Sequence, residues 1–113
     1  MNWGDLDSGR GVGAKLFRGL ADPTRLAILQ VLGAGEYRVT DLVGVLRTSQ
    51  SNVSAHLACL KDCGLVTDRP EGRAVYYRIA TKEIYELLRA AEDLLEDVGD
   101  QIALCPNYET TGN

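Results

Sequence analysis

Residues 40–65 read TDLVGVLRTSQSNVSAHLACLKDCGL. Two helical patterns flank the short break at Arg47-Thr48. Thr40 is placed to cap the first, with Leu42, Val43 and Leu46 apolar, and Ser49 to cap the second, which runs to Cys63 and stops at Gly64. Two helices joined by so tight a turn describe a helix-turn-helix. Downstream, LVTDRPEGRAVYYRI (65–79) alternates on both sides of Pro70-Glu71-Gly72-Arg73, which predicts a β-hairpin with Arg69 and Arg73 at its tip. Upstream, ADPTRLAILQVLGAGE (21–36) starts a helix with Asp22 as cap and Pro23 in the first position. Leu26, Ile28, Leu29 and Leu32 are its expected buried face, and Gly33 and Gly35 end it.

The flanks complete the pattern. Val12–Leu20 has helical apolar spacing, and Tyr37-Arg38-Val39 is short and β-prone. Thr81 can cap a last helix with Ile84, Leu87, Leu88, Ala91, Leu94, Leu95, Val98 and Ile102 apolar, ended by Pro106. The order predicts a mainly α fold with a small β-hairpin, a winged helix-turn-helix. Residues 1–10 read as a flexible N-terminal arm, 11–105 as one domain with terminal helices, and 106–113 as a loose tail.

A chain of 113 residues is the size of one domain, and at this size only about two-thirds of the extended surface can be buried. The core is therefore modest and suits a fold completed by a partner subunit. No apolar run approaches the ~20 residues that span a bilayer, and the first residues lack a secretory pattern. A cytoplasmic protein with no membrane partner is expected. The net charge of −4 is unevenly spread. From residue 83 onward eight acids face Arg89 alone, whereas Arg47, Lys61, Arg69, Arg73 and Arg78 outnumber Asp62, Asp68 and Glu71 in the middle. That polarity suits a DNA-facing module mounted on an acidic helix.

At 100° per residue the helix after Ser49 divides into faces. Val53, Leu57 and Leu60 form a core stripe. Gln50, Ser51, Ser54 and Ala55 form an exposed face in the N-terminal half, the part that reaches base edges in helix-turn-helix proteins. Gln50 can pair with adenine, the serines can donate to bases or phosphates, and Ala55 can touch a thymine methyl. Lys61, Arg69 and Arg73 are expected phosphate contacts, which supply affinity without sequence choice. The remaining stripe holds Asn52, His56, Cys59 and Cys63, beside the core and away from the base-reading face. Asn52 and His56 stay with the DNA-binding set, because a histidine here packs or touches DNA more readily than it ligates a metal.

Cysteines i and i+4 on a helix can turn their sulfurs onto one ion, whereas a disulfide between them is awkward. Two ligands leave an ion undercoordinated, and the only other thiol is Cys105. Three thiolates with a single histidine in the chain favour soft ions over zinc or nickel. A buried free cysteine is the alternative for each thiol taken singly.

LADPTRLAILQVL, SQSNVSAHLACLKDCGLV and EGRAVYYRI together resemble the ArsR/SmtB family of metal-responsive repressors over about residues 12 to 104. Within it, HLACLKDCGLV is most similar to the cadmium- and lead-sensing branch. The resemblance implies metal ligation by Cys59, Cys63 and Cys105, with Cd(II) or Pb(II) as inducer and Zn(II) or As(III) as further ions such a set accepts. It also implies a homodimer that binds double-stranded operator DNA at an inverted repeat. The sequence agrees, because the apolar stripe of the last helix is too long for so small a core. Leu16, Leu87, Leu88, Leu94, Leu95 and Val98 are the expected interface. No cysteine pair lies in the helix after Val39 and no histidine in the last helix, where other branches bind metal.

Two alternatives keep the same fold, an arsenite- or mercury-responsive repressor and a thiol redox sensor. An enzyme is not expected, since no acid is placed to orient His56 beside a thiol. A purely structural dimerisation module leaves the basic hairpin without a purpose.

Overall fold

A computed structural model describes residues 7–106, and the rest of the expected arm and tail lies outside them. Five helices and one hairpin follow in the order α1 (Asp7–Leu20), α2 (Pro23–Leu32), α3 (Val39–Leu46), α4 (Gln50–Asp62), β1 (Val66–Glu71), β2 (Ala74–Ile79) and α5 (Lys82–Leu104). The order is the expected one, a winged helix-turn-helix. Helix α1 starts earlier than the apolar spacing indicates, taking in residues 7–10 of the expected arm.

Local chemistry sets most boundaries. Asp22 caps α2, its Oδ1 accepting the Arg25 N–H at 3.0 Å, and Pro23 occupies the first turn where its missing N–H costs nothing. Ser49 caps α4 in the same way, its Oγ accepting the Asn52 N–H at 3.1 Å. Helix α3 is a correction: it begins at Val39 with Arg38 as cap, so Thr40 lies inside the first turn. The Asp41 carboxylate accepts the Arg38 backbone N–H at 3.0 Å and the Arg38 guanidinium at 3.1 and 3.2 Å. One aspartate thus satisfies a donor that a threonine cap would leave open.

The core is formed by Leu20, Ile28, Leu29, Leu32, Leu42, Val53, Leu57, Leu60 and Val66. Leu26 is a second correction, 38% exposed. At 100° per residue it sits on the flank of the arc formed by Ile28, Leu29 and Leu32, so the helix turns it outward.

Strands β1 and β2 pair antiparallel from Val66↔Ile79 to Glu71↔Ala74, with Gly72-Arg73 as a two-residue turn. Gly72 has φ 62, a conformation glycine enters without cost. Tyr37 exchanges both backbone hydrogen bonds with Tyr77, at 3.1 and 2.8 Å, which docks the wing on the segment between α2 and α3.

Helix α5 has no buried residue, although Leu87 and Leu88 pack against the core. Leu94 is 56% exposed, Leu95 50% and Ile102 45%, and Val12 and Leu16 of α1 are open as well. Among the described residues no helix is long and apolar enough to cross a membrane.

The Asp22 cap gives a pH prediction. Its carboxyl is held below the usual range, chiefly by the Arg25 backbone N–H and secondarily by charge from His56 and Arg25, against some desolvation. A lowered folded-state pKa contributes stability above the unfolded-state value of about 3.9, and that stability is lost as pH falls through the folded value. Asp22→Ala should cost about 1 kcal/mol at neutral pH. Thermal melts of both proteins should show the gap begin to narrow as pH falls below about 4 and close once pH passes the lowered folded-state value, where the wild-type cap is protonated.

Candidate functional site

Helix α4 presents its faces as its spacing dictates. Val53, Leu57 and Leu60 are buried, while Gln50, Ser51, Ser54 and Ala55 are exposed and clustered in the N-terminal half. This face carries amide and hydroxyl groups able to donate to and accept from base edges, with no charged side chain among them.

The other expected DNA-binding residues are placed differently from one another. Asn52 is half-buried and donates from Nδ2 to Thr48 Oγ1 at 2.9 Å, so its amide braces the turn before the helix. His56 is half-buried with Nδ1 3.5 Å from Arg25 Nη1. Arginine cannot accept, so the imidazole is the acceptor in that contact. Lys61 donates to Asp68 at 2.9 Å. Arg69 forks onto Glu36 at 2.9 to 3.1 Å, reaches Glu71 at 3.1 Å, and lies 5.1 Å from the Tyr76 ring centroid. These acids hold both cations in their charged form, with hydrogen bonding the largest cause. They also turn toward the protein donors that charge patterning assigns to phosphate. Arg73, in the hairpin turn, is exposed and makes no ion pair among the described residues.

Arg25 and Glu36 are residues that sequence patterns do not single out. Arg25 Nε donates to the Gly19 carbonyl at 2.6 Å while its Nη1 meets His56, so one guanidinium joins the end of α1 to α4. Glu36 riveted to Arg69 fixes the wing against the α2–α3 segment. The partners are 31 and 33 residues apart, beyond any local pattern.

Cys59 and Cys63 are free and exposed on the side of α4 away from Gln50 and Ser54. The Cys63 thiol is pushed above its usual pKa, first by desolvation and then by the charge and hydrogen bond of Cys59, with Asp62 adding to it. Cys105 is half-buried at the end of α5. Among the described residues no three His, Cys, Asp or Glu side chains converge on a point that could hold an ion. The expected trio is therefore not assembled within one chain; the pair on α4 is.

Leu16, Leu94 and Leu95 of the expected interface are exposed, while Leu87, Leu88 and Val98 are half-buried, the first two against the chain's own core.

Residues 22–68 match the model of the bacterial regulatory protein arsR family. The chain is 38% identical over 99 residues to a "probable mercury resistance operon repressor" of Streptomyces lividans, covering 88% of this chain and 79% of that protein. It is 45% identical over 85 residues to the HTH-type transcriptional regulator CmtR of Mycobacterium tuberculosis, covering 75% of this chain and 70% of that one. In structure it is similar to the homodimeric winged helix-turn-helix DNA-binding domain of a "possible ArsR-family transcriptional regulator" from Mycobacterium bovis. The TM-score is 0.64 at 32% identity, over 86% of this chain and 84% of the other.

Proposed function

The chain belongs to the arsR family of bacterial regulatory proteins, a transcriptional regulator and not an enzyme, and we propose that it is a cytoplasmic repressor released from DNA by a soft metal ion. The observation that carries this reading is the exposed Cys59–Cys63 pair, one turn apart at the C-terminal end of the helix whose N-terminal half bears the proposed base-reading face. DNA and a thiophilic ion can then act on one helix without competing for one surface.

In this reading the metal-free homodimer binds an inverted repeat in operator DNA. Gln50, Ser51, Ser54 and Ala55 of each protomer read bases, Arg73 contacts phosphate, and Asn52 and His56 brace the helix. Cys59 and Cys63 supply two thiolates and Cys105 the third. A trio not assembled within one chain is best completed across the dimer, by Cys105 of the twin subunit. Cd(II) or Pb(II) is the proposed inducer, because thiolate-only donors suit soft ions. The likeness to a mercury resistance repressor supports Hg(II) as a second reading. Zn(II) and As(III) are the ions to compare.

Ligation ties α4 to the end of α5 and so holds the reading helix in an orientation or rigidity poorly matched to the groove. Titration with cadmium, lead, mercury, zinc and arsenite, followed by thiolate-to-metal bands in the ultraviolet, counts the sulfurs bound. Three per site supports the assignment, and a spectrum with no thiolate band for any ion overturns it.

Dimerisation has its own test. The open apolar faces of α1 and α5 need a cover, and a second copy is the proposed one. Leu94→Asp with Leu95→Asp should convert the dimer to a folded monomer by light scattering. DNA affinity should fall at least tenfold, since each half-site is then bound alone. A double variant that stays dimeric removes α5 from the interface.

A further inference from the structure

A chain of net charge −4 needs unneutralised cations where it meets phosphate. In the basic central segment, Lys61 is committed to Asp68, and Arg69 to Glu36 and Glu71. Arg47 is not committed. It is exposed, and among the described residues its guanidinium makes no hydrogen bond or ion pair. Its backbone N–H closes α3 on the Val43 carbonyl at 2.9 Å, so nothing remains to be satisfied there by the side chain.

Its backbone is the second observation. Arg47 has φ 55 and ψ 45, and it is the one non-glycine residue with positive φ among those described. Glycine or asparagine would enter this left-handed region more cheaply. Neither packing nor internal pairing accounts for an arginine in a strained position. Strain retained without structural compensation points to function.

Its place in the chain says which function. Arg47 sits in the turn between α3 and α4, two residues before the Ser49 cap. Beyond that cap comes the exposed half of α4, which has hydroxyls and an amide but no cation of its own. When that half enters a major groove, the turn in front of it runs beside the sugar–phosphate backbone. We propose that Arg47 is a DNA-phosphate contact that anchors the N-terminal end of α4, with Arg73 of the wing as the second anchor. This rests on the DNA-binding reading above.

The test compares wild type, Arg47→Asn and Arg47→Lys in the full chain by fluorescence anisotropy across a range of salt. The probes are a duplex of the DNA upstream of the protein's own coding sequence and a mixed-sequence duplex of equal length. Arg47→Asn should weaken binding to both duplexes alike. Its plot of log affinity against log salt should be shallower by about 0.9 for each phosphate that is no longer neutralised. Its melting temperature should equal or exceed that of wild type, since asparagine suits the left-handed backbone. Arg47→Lys should keep the wild-type slope. An unchanged slope in Arg47→Asn, an equal weakening in Arg47→Lys, or a lower melting temperature in Arg47→Asn would each overturn the assignment. Failure of the wild type to bind either duplex would instead remove the DNA-binding reading itself, before any variant is compared.

Discussion

Serine in place of Cys59 is expected to leave operator binding intact and to abolish its loss on cadmium addition. The side chain lies toward the C-terminal end of α4, two turns beyond Gln50 and Ser51, so the exchange of sulfur for oxygen does not touch the proposed base-reading face. Serine is a poor ligand for a soft ion, and one thiolate of the α4 pair is removed. Coupling between two sites is typically worth about 1–3 kcal/mol, so metal should weaken wild-type DNA binding by roughly 5- to 150-fold and the variant's by none. Anisotropy with and without cadmium reads both quantities on one sample. Should Cys59→Ser still leave its operator on cadmium addition, the thiol assignment is wrong. Cys105→Ser separates the third ligand, since a variant that keeps the full response excludes Cys105 from the site. The elevated Cys63 pKa adds a direction: its proton must leave when sulfur binds an ion, so metal affinity should fall as pH falls.

The largest effect on stability is expected from Leu57→Ala. Leu57 is 1% exposed within the core that Val53, Leu60, Ile28, Leu29 and Leu42 share, so truncation opens a cavity between α4 and its neighbours. Such changes cost about 2–5 kcal/mol, a large part of the roughly 5–15 kcal/mol that holds a domain folded. The same substitution loosens the seat of the reading helix, so DNA affinity should fall as the folded fraction falls. Urea denaturation measures the destabilisation directly. A value below about 1 kcal/mol would mean that the site collapses around the missing methyls and that α4 is less firmly seated than its burial indicates.

The legible part of this protein is the part written in short-range chemistry. Asp22 and Ser49 are caps because an oxygen one turn ahead of an open N–H is a local matter, and Val53, Leu57 and Leu60 share a face because the helix repeats every 3.6 residues. The glycine in Pro-Glu-Gly-Arg turns a hairpin for an equally local reason. Even the departures follow from rules of this range. Thr40 yields to Arg38 because Asp41 offers two oxygens, and Leu26 lies at the edge of an arc whose width spacing alone does not fix.

Local rules of this kind were enough for the order of elements, the winged helix-turn-helix, and the exposure of an amide-and-hydroxyl face and of two thiols on α4. Which charges are left unpaired was settled by packing. Arg69 meets Glu36 and Arg25 meets His56 across 33 and 31 residues, separations at which no periodic pattern operates, and Lys61 meets Asp68 across the junction of α4 with β1. The reason is one of range. Backbone hydrogen bonds and helical periods act within a turn or two, whereas the partner of a long charged side chain, or of a cysteine at the end of a 23-residue helix, depends on how whole elements are stacked.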